Sequence, residues 1–330
     1  LFQKKIDDRH YPASITKILT ALVAIEEGDL SATVKVSREA AYTEGSSMYL
    51  KEGETLTLET LLYGLLLQSG NDAAVALAEK TAGVTELFVE RMNNRARELG
   101  MQDTHFVNCT GLPAEGHVTS AWDIAVMSRE LIVNHPDIRR FTTIWMDTLR
   151  SGTFGLSNTN KLIRFYEGAT GLKTGFTEKA MYCLSATAER EGVEYIAVIM
   201  HADTIDKRNN DAKALLSYGF ANYRLMPLRS PDVLPPVRVT LGSADSVQPV
   251  YDGAEAALVP KSGAGEVSYE LDLPDTLPAP VENGQQIGTL RVVSDGKELY
   301  SVKLLADSSV ARASFGRTLL ELVKSYVGLG

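Results

Sequence analysis

Nine of the chain's twelve prolines stand at or after residue 227, while all eight methionines, both tryptophans and both cysteines come before it. No helix continues through Pro227-Leu-Arg-Ser-Pro-Asp-Val-Leu-Pro-Pro, because proline lacks the amide donor and clashes with the preceding turn. A domain boundary therefore falls within Met226–Pro236, and 330 residues suffice for two domains with a core each. Charge does not divide at that boundary: residues 1–226 carry 24 basic and 29 acidic side chains, and residues 227–330 carry 9 and 13. The net charge of −9 and a pI near 5.2 argue against nucleic acid, which is normally met by a basic stripe. The longest dense apolar stretch, Leu61–Leu67, falls far short of the roughly 18 residues of a spanning helix.

Before the boundary the pattern is mainly helical. Ile15, Ile18, Leu19, Leu22 and Val23 recur at helical spacing after Pro12-Ala13-Ser14, and Gly28 ends the run. Leu58–Leu67 is apolar nearly all round and reads as a helix buried on every side, broken by Ser69-Gly70-Asn71. An amphipathic helix follows from Asp72 to Glu79, then helices over Thr85–Leu99 and Ser120–Val133. The period then changes. Ala180–Glu189 and Val193–His201 read as strands joined at Arg190-Glu191-Gly192, before a last helix over Asp206–Tyr223. Beyond the boundary only strands are expected: Val237–Leu241, Ala256–Val259, Val267–Leu273, Ile287–Ser294 and Leu299–Ala306, with Asp295-Gly296 as a hairpin turn. This part reads as a small β-sandwich with a structural role, since it carries no nucleophile–base pair.

Three short motifs carry chemistry. Ser14-Ile15-Thr16-Lys17 places a hydroxyl and an amine three residues apart at a helix start, where a desolvated lysine can serve as the base for a serine nucleophile. Free backbone N–H groups at that start suit a developing oxyanion. Alone the pattern is common, and Ser14 equally suits a helix cap. Ser69-Gly70-Asn71 is an ordinary turn by composition, or a hydroxyl and an amide set beside the nucleophile, one relaying protons and one holding substrate. Lys173-Thr174-Gly175 is a glycine-rich bend into a strand, or a positive charge and hydroxyl for an anionic substrate end, with the Phe176 N–H as a second oxyanion donor. It is no phosphate loop, because GxxxxGK[ST] is missing. Taken in order, the three are much harder to meet by accident.

That constellation resembles the low-molecular-mass penicillin-binding proteins, specifically the serine-type D-alanyl-D-alanine carboxypeptidases of peptidase family S11. Tyr11-Pro-Ala-Ser-Ile-Thr-Lys, Leu67-Gln-Ser-Gly-Asn-Asp-Ala-Ala, Asp103-Thr-His-Phe with Gly111-Leu112, and Gly171-Leu-Lys-Thr-Gly-Phe-Thr match family segments in order. The resemblance implies an α+β, β-lactamase-like transpeptidase fold over residues 1–226, with a helical cluster and an antiparallel sheet. A β-rich domain over 227–308 and an amphipathic terminal helix over 309–330 would follow. It implies that Ser14 is acylated, that Lys17 is its base, and that Ser69 and Asn71 complete the proton network. Lys173, Thr174, Gly175 and Phe176 would then bind substrate, together with Arg208 and Asn160. Asn158 and Asn160 match an asparagine-rich stretch in which Thr159 stands where some relatives have arginine.

The implied reaction removes the terminal D-alanine from a peptidoglycan stem peptide, with penicillins acylating the same serine and no metal or cofactor required. A serine β-lactamase uses the same motifs but needs a carboxylate base, usually in a Glu-x-x-Leu-Asn segment, which is missing here. A non-catalytic penicillin- or wall-binding sensor is the other rival. An extracytoplasmic enzyme is implied, with Phe315, Leu319, Leu322, Val323 and Tyr326 forming either a surface anchor to the outer face of the cytoplasmic membrane or a packed helix. Relatives usually have a strand ahead of the Ser-x-x-Lys helix; only Leu1-Phe2 and a short polar lead precede it here, so a processed or truncated start and an incomplete sheet are expected. Cys109 and Cys183 read as buried thiols or as a disulfide.

Overall fold

The computed structural model describes every residue except 231, 263–266, 295, 317, 318 and 320–330. Contacts divide the chain into two units, Leu1–Phe220 and Ala221–Gly330. The division falls a few residues ahead of the 226/227 boundary read from the prolines.

In the first unit, α1 (Lys17–Glu27) continues from a 3-10 turn over Ala13–Thr16. A small hairpin-like pair, β1 (Thr33–Lys35) and β2 (Thr55–Thr57), flanks the short α2 (Arg38–Ala41). Next come α3 (Leu58–Leu66), α4 (Asn71–Ala82), α5 (Thr85–Glu98), α6 (Ala121–Asn134) and the short α7 (Arg139–Thr142). A second hairpin, β3 (Met146–Leu149) with β4 (Phe154–Ser157), precedes α8 (Leu162–Phe165). The main sheet is antiparallel in the order β5 (Ala169–Thr177), β6 (Met181–Arg190), β7 (Val193–Ala202), followed by α9 (Ile205–Asn222). Arg190 pairs with Val193 across a two-residue turn in which Glu191 and Gly192 both have positive φ, the combination that matches strand twist.

Local chemistry explains these elements. The Thr57 hydroxyl caps α3 by accepting from the Thr60 N–H, and Leu58, Leu61, Leu62, Leu65 and Leu66 turn one stripe inward. The expectation of burial on every side is corrected on one face. Glu59 and Tyr63 are only half-buried there, Glu59 pairing with Arg140 while Tyr63 packs edge-on against Phe141 at 4.8 Å. In α4 the correction runs the other way. Asn71 to Ala78 are all buried, so α4 is a central helix rather than an amphipathic one, its alanines admitting neighbours on all sides.

The glycine-rich segment expected as a bend is itself the strand β5. Cys183–Ala188 of β6 is buried on both faces. One face meets the helical cluster, where the Ser185 and Ser128 hydroxyls bond at 2.8 Å, and Leu184, Ala186 and Ala188 pack with Ala212 and Leu216 of α9 on the other. Cys109 and Cys183 are buried free thiols.

Apart from the end of α9 at 221–222 and helical residues 315, 316 and 319, the regular elements of the second unit are strands among its described residues. Its strands are β8 (Tyr223–Pro227), β9 (Val237–Thr240), β10 (Ser246–Val247), β11 (Pro249–Tyr251), β12 (Ala256–Pro260), β13 (Val267–Asp272), β14 (Thr276–Pro278), β15 (Gln286–Ser294) and β16 (Lys297–Ala306). They form sheets β11-β16-β15-β13, β10-β9-β14 and β12-β8. Val237, Val239, Ile287 and Ala306 lie in one apolar cluster, and Met226, Val259, Leu290 and Val302 in another. Pro227, Pro249, Pro260 and Pro278 stand at the ends of their strands, where the missing amide costs the ladder least. Ser294 pairs with Lys297, while Asp295 of the expected Asp295-Gly296 turn lies outside the described residues. Of segment 309–330 only residues 309–316 and 319 are described: Phe315 and Leu319 of the expected anchor are exposed, and Leu322, Val323 and Tyr326 lie outside the described residues. Among those described, no helix is long and apolar enough to cross a membrane.

Candidate active site

Ser14 lies in the 3-10 turn and Lys17 opens α1, a spacing that nearly eclipses the two side chains. The Lys17 Nζ donates to Ser14 Oγ at 3.0 Å, to Asn71 Oδ1 at 2.6 Å and to the Thr110 carbonyl at 2.6 Å. It is wholly buried, and desolvation pulls its pKa from 10.5 to about 7, against the smaller upward pull of Cys109 and Asp72. An ammonium satisfies all three acceptors. A neutral amine keeps two of its hydrogens on Asn71 and Thr110 and turns its lone pair to the Ser14 hydroxyl, which can then donate.

The turn itself is held under strain and from two sides. Ala13 adopts φ 47°, a left-handed conformation unfavourable to a residue with a Cβ. Gly111, at φ 88°, packs so closely that a Cβ there would collide with the Ala13 carbonyl. A Cβ on Gly175 would sit 3.0 Å from the Pro12 carbonyl and 3.1 Å from Ser14 N. Strand β5 therefore runs beside the backbone of the serine, and its glycine is what permits the approach.

Asn71 starts α4 with both ends of its amide engaged. Its Oδ1 takes the Lys17 hydrogen, and its Nδ2 donates to the Glu44 carbonyl at 2.6 Å. These bonds brace α1 against the loop after α2 and leave the second Nδ2 hydrogen for the substrate-holding role expected from sequence. Asp72 beside it is buried and accepts from Ser47 Oγ at 2.6 Å, Leu50 N at 3.0 Å and Met48 N at 3.1 Å. Ser69, at φ 61°, has a buried hydroxyl with no hydrogen-bond partner among the described residues, available for a proton relay.

On β5, Lys173 is fully buried and its Nζ donates to the Thr174 carbonyl at 2.9 Å. Burial first, then Lys17 and Arg208, push its pKa well below the usual lysine value. The Thr174 hydroxyl donates to Thr159 Oγ1 at 2.7 Å. Phe176 is half exposed and stacks on Tyr182 with ring centroids 4.4 Å apart. Arg208 is buried at the start of α9 and donates through Nε and Nη2 to Asn209 Oδ1 at 3.1 and 3.0 Å, with no carboxylate partner among the described residues. Lys17, Lys173 and Arg208 thus set three basic side chains around one region, an arrangement that favours an anion.

Asn160 departs from expectation. Its Nδ2 donates to the Gly171 carbonyl at 2.8 Å and its Oδ1 accepts from Leu162 N at 3.1 Å, so it braces β5 against α8 from a buried position instead of facing substrate. The Asn158 Oδ1 in turn accepts from Asn160 N at 2.9 Å. Two contributors escaped the sequence reading. The Thr110 carbonyl is a backbone group with no side-chain signal, although Gly111-Leu112 marked its neighbourhood. Asp72 opens a helix and stands in the Leu67–Ala74 segment, but its sequence position gives no sign of the loop it holds. Away from this site, Glu26, Glu130 and His135 converge, but Arg95 bridges both carboxylates at 2.7 Å and takes the place of a cation.

Residues 1–204 match the family model described as D-alanyl-D-alanine carboxypeptidase, and residues 229–312 match that of the penicillin-binding protein 5 C-terminal domain. The chain is 37% identical over 326 residues to the D-alanyl-D-alanine carboxypeptidase DacF of Bacillus subtilis, covering 96% of this chain and 83% of that one. It is 30% identical over 342 residues to DacA of Escherichia coli strain K12, covering 98% and 83%. Penicillin binding protein 5 from Haemophilus influenzae superposes with a TM-score of 0.76 at 29% identity, covering 94% of each chain. Fold and site together define a serine hydrolase of the penicillin-binding-protein class. More particularly, the chain belongs to the D-alanyl-D-alanine carboxypeptidase family, peptidase family S11.

Proposed function

We propose that this protein removes the terminal D-alanine from peptidoglycan stem peptides through an acyl-enzyme on Ser14. The observation that carries the reading is the buried Lys17 amine, 3.0 Å from Ser14 Oγ and with a pKa near 7. Lys17 takes the Ser14 proton, and Ser14 Oγ attacks the carbonyl between the last two D-alanines. The N–H groups of Ser14 and Phe176 receive the oxyanion, and Thr174 with the Lys173 and Arg208 charges receives the terminal carboxylate. As the C–N bond breaks, the proton held on Lys17 passes by way of Ser69 Oγ to the departing amine. Water, deprotonated by Lys17, then hydrolyses the ester and frees Ser14.

Penicillins acylate the same serine because their ring amide resembles the dipeptide. The substrate places the enzyme outside the cytoplasm, and the amphipathic pattern of residues 314–329 supports contact with the outer face of the cytoplasmic membrane. Lack of a Glu-x-x-Leu-Asn segment disfavours rapid drug turnover, and the assembled Ser14–Lys17–Asn71 network disfavours a purely sensory role.

Incubation with a labelled penicillin and with a D-Ala-D-Ala peptide tests this. Stable label on Ser14, abolished in Ser14→Ala, with release of D-alanine is the expected result. Rapid drug turnover would mean a β-lactamase, label without peptide turnover a sensor, and no label at all would overturn the assignment.

A further inference from the structure

The juxtaposition of Thr159 with Thr174 carries an inference that rests on the function proposed above. We propose that Thr159 is a positioning residue for the substrate's terminal carboxylate: its hydroxyl forms the outer half of a two-hydroxyl relay that aims the Thr174 proton.

The Thr174 Oγ1 donates to Thr159 Oγ1 at 2.7 Å, so in the free enzyme its proton points to Thr159. Thr159 is itself exposed, whereas its neighbours Asn158 and Asn160 are buried and anchor it on both sides. Asn158 Nδ2 donates to the Ile144 carbonyl at 2.9 Å, and Asn160 Nδ2 donates to the Gly171 carbonyl at 2.8 Å. The Thr159 N–H donates to the Leu67 carbonyl at 3.1 Å, at the end of the helix that leads into Ser69-Gly70-Asn71. The hydroxyl is therefore held on a frame tied to the segments that carry Ser69-Gly70-Asn71 and Lys173-Thr174-Gly175.

A carboxylate arriving at Thr174 is a stronger acceptor than a hydroxyl and draws the Thr174 proton to itself. The Thr159 hydroxyl then reverses, donating its own proton to Thr174 Oγ1. Each bond in such a chain polarises the next, so a neutral relay strengthens the contact to the anion. No covalent bond changes and no proton is transferred; both hydroxyls only rotate. Since the carboxylate leaves with the released D-alanine, the relay acts in acylation and has no part in hydrolysis of the peptidyl ester.

The test compares wild type, Thr159→Val and Thr159→Ser on a D-Ala-D-Ala peptide and on the same peptide ending in a carboxamide. Valine keeps the shape without the hydroxyl, and serine keeps the hydroxyl. Thr159→Val should lower kcat/KM for the free-acid peptide about tenfold, the upper end of the scale of one hydrogen bond between neutral groups. It should leave the carboxamide rate and hydrolysis of the peptidyl acyl-enzyme unchanged, and Thr159→Ser should stay within about twofold of wild type. Equal losses on both peptides, slowed ester hydrolysis, or an unchanged preference for the free acid would each overturn the relay. If wild type neither labels at Ser14 nor releases D-alanine, the parent reading fails and takes the relay with it; label and release with an indifferent Thr159→Val sink the relay alone.

Discussion

At the scale of single residues, the burial of one amine sets the pH response. Lys17 is stripped of water by α1, α4 and the Thr110 segment, and desolvation brings its pKa from 10.5 to about 7. Its useful form is the neutral amine, which is lost as pH falls through that value. The second-order rate of penicillin acylation should therefore drop about tenfold per unit below pH 6 and level off above about pH 8. Stopped-flow labelling from pH 5 to 9 checks this, and a rate flat across pH 6–8 would refute the assignment of Lys17 as base. His117 does not confuse the readout: burial, aided by His105, holds its pKa near 4, and its ring is fixed between Val107 N and Thr16 Oγ1. The Ser-x-x-Lys spacing was legible in the sequence because side chains three apart on a helix share a face. The third acceptor of Lys17 was not, since a carbonyl looks alike in every residue.

At the scale of elements, the loop between α2 and β2 is tied to the site by one carboxylate. Asp72 holds Ser47, Met48 and Leu50, and the preceding Asn71 bonds both the Glu44 carbonyl and, through its own N–H at 2.6 Å, the Ser46 carbonyl. Asp72→Ala would leave three buried amides, those of Met48, Leu50 and Ala73, and the Ser47 hydroxyl without their acceptor. A loss of about 3 kcal/mol in urea unfolding is expected, with Asp72→Asn costing less because it keeps one oxygen. Acylation should slow in the alanine variant, since Asn71, which accepts from Lys17, loses the support of the loop. Unchanged stability would show that the loop is held by something other than Asp72. Helices and their ends were readable from period and caps: Thr57 before Leu58 and Ser120 before Ala121 both act as the N-caps their types suggest. Burial was less readable. Glu59 in a leucine-rich run stays half open because Arg140 meets it, and Asn71-Asp72 in a polar-looking start is buried because the loop supplies its partners. Such partners lie far away in sequence, and periodicity sees only neighbours.

At the scale of the whole molecule, the contacts divide after Phe220, a few residues ahead of the cluster of prolines. The residues just before Pro227 look like the tail of α9, yet Tyr223–Pro227 forms β8 and pairs with β12 of the second unit. Met226 is buried in that unit's core. Each unit has its own apolar clusters, and every residue of the candidate site lies within 1–220. The first unit is therefore expected to fold and react without the second. A chain ending at Asn222 should take up penicillin within about twofold of the full-length rate, because it keeps α9 and Arg208 and cuts no strand pair. One ending at Pro227 should instead carry β8 without its partner, an apolar strand with unpaired amides that promotes self-association. Labelling rates and light scattering on the two truncated chains separate the cases. If the chain ending at Asn222 is inert while the one ending at Pro227 is soluble and active, β8 belongs to the catalytic unit and the boundary lies where the prolines alone would put it.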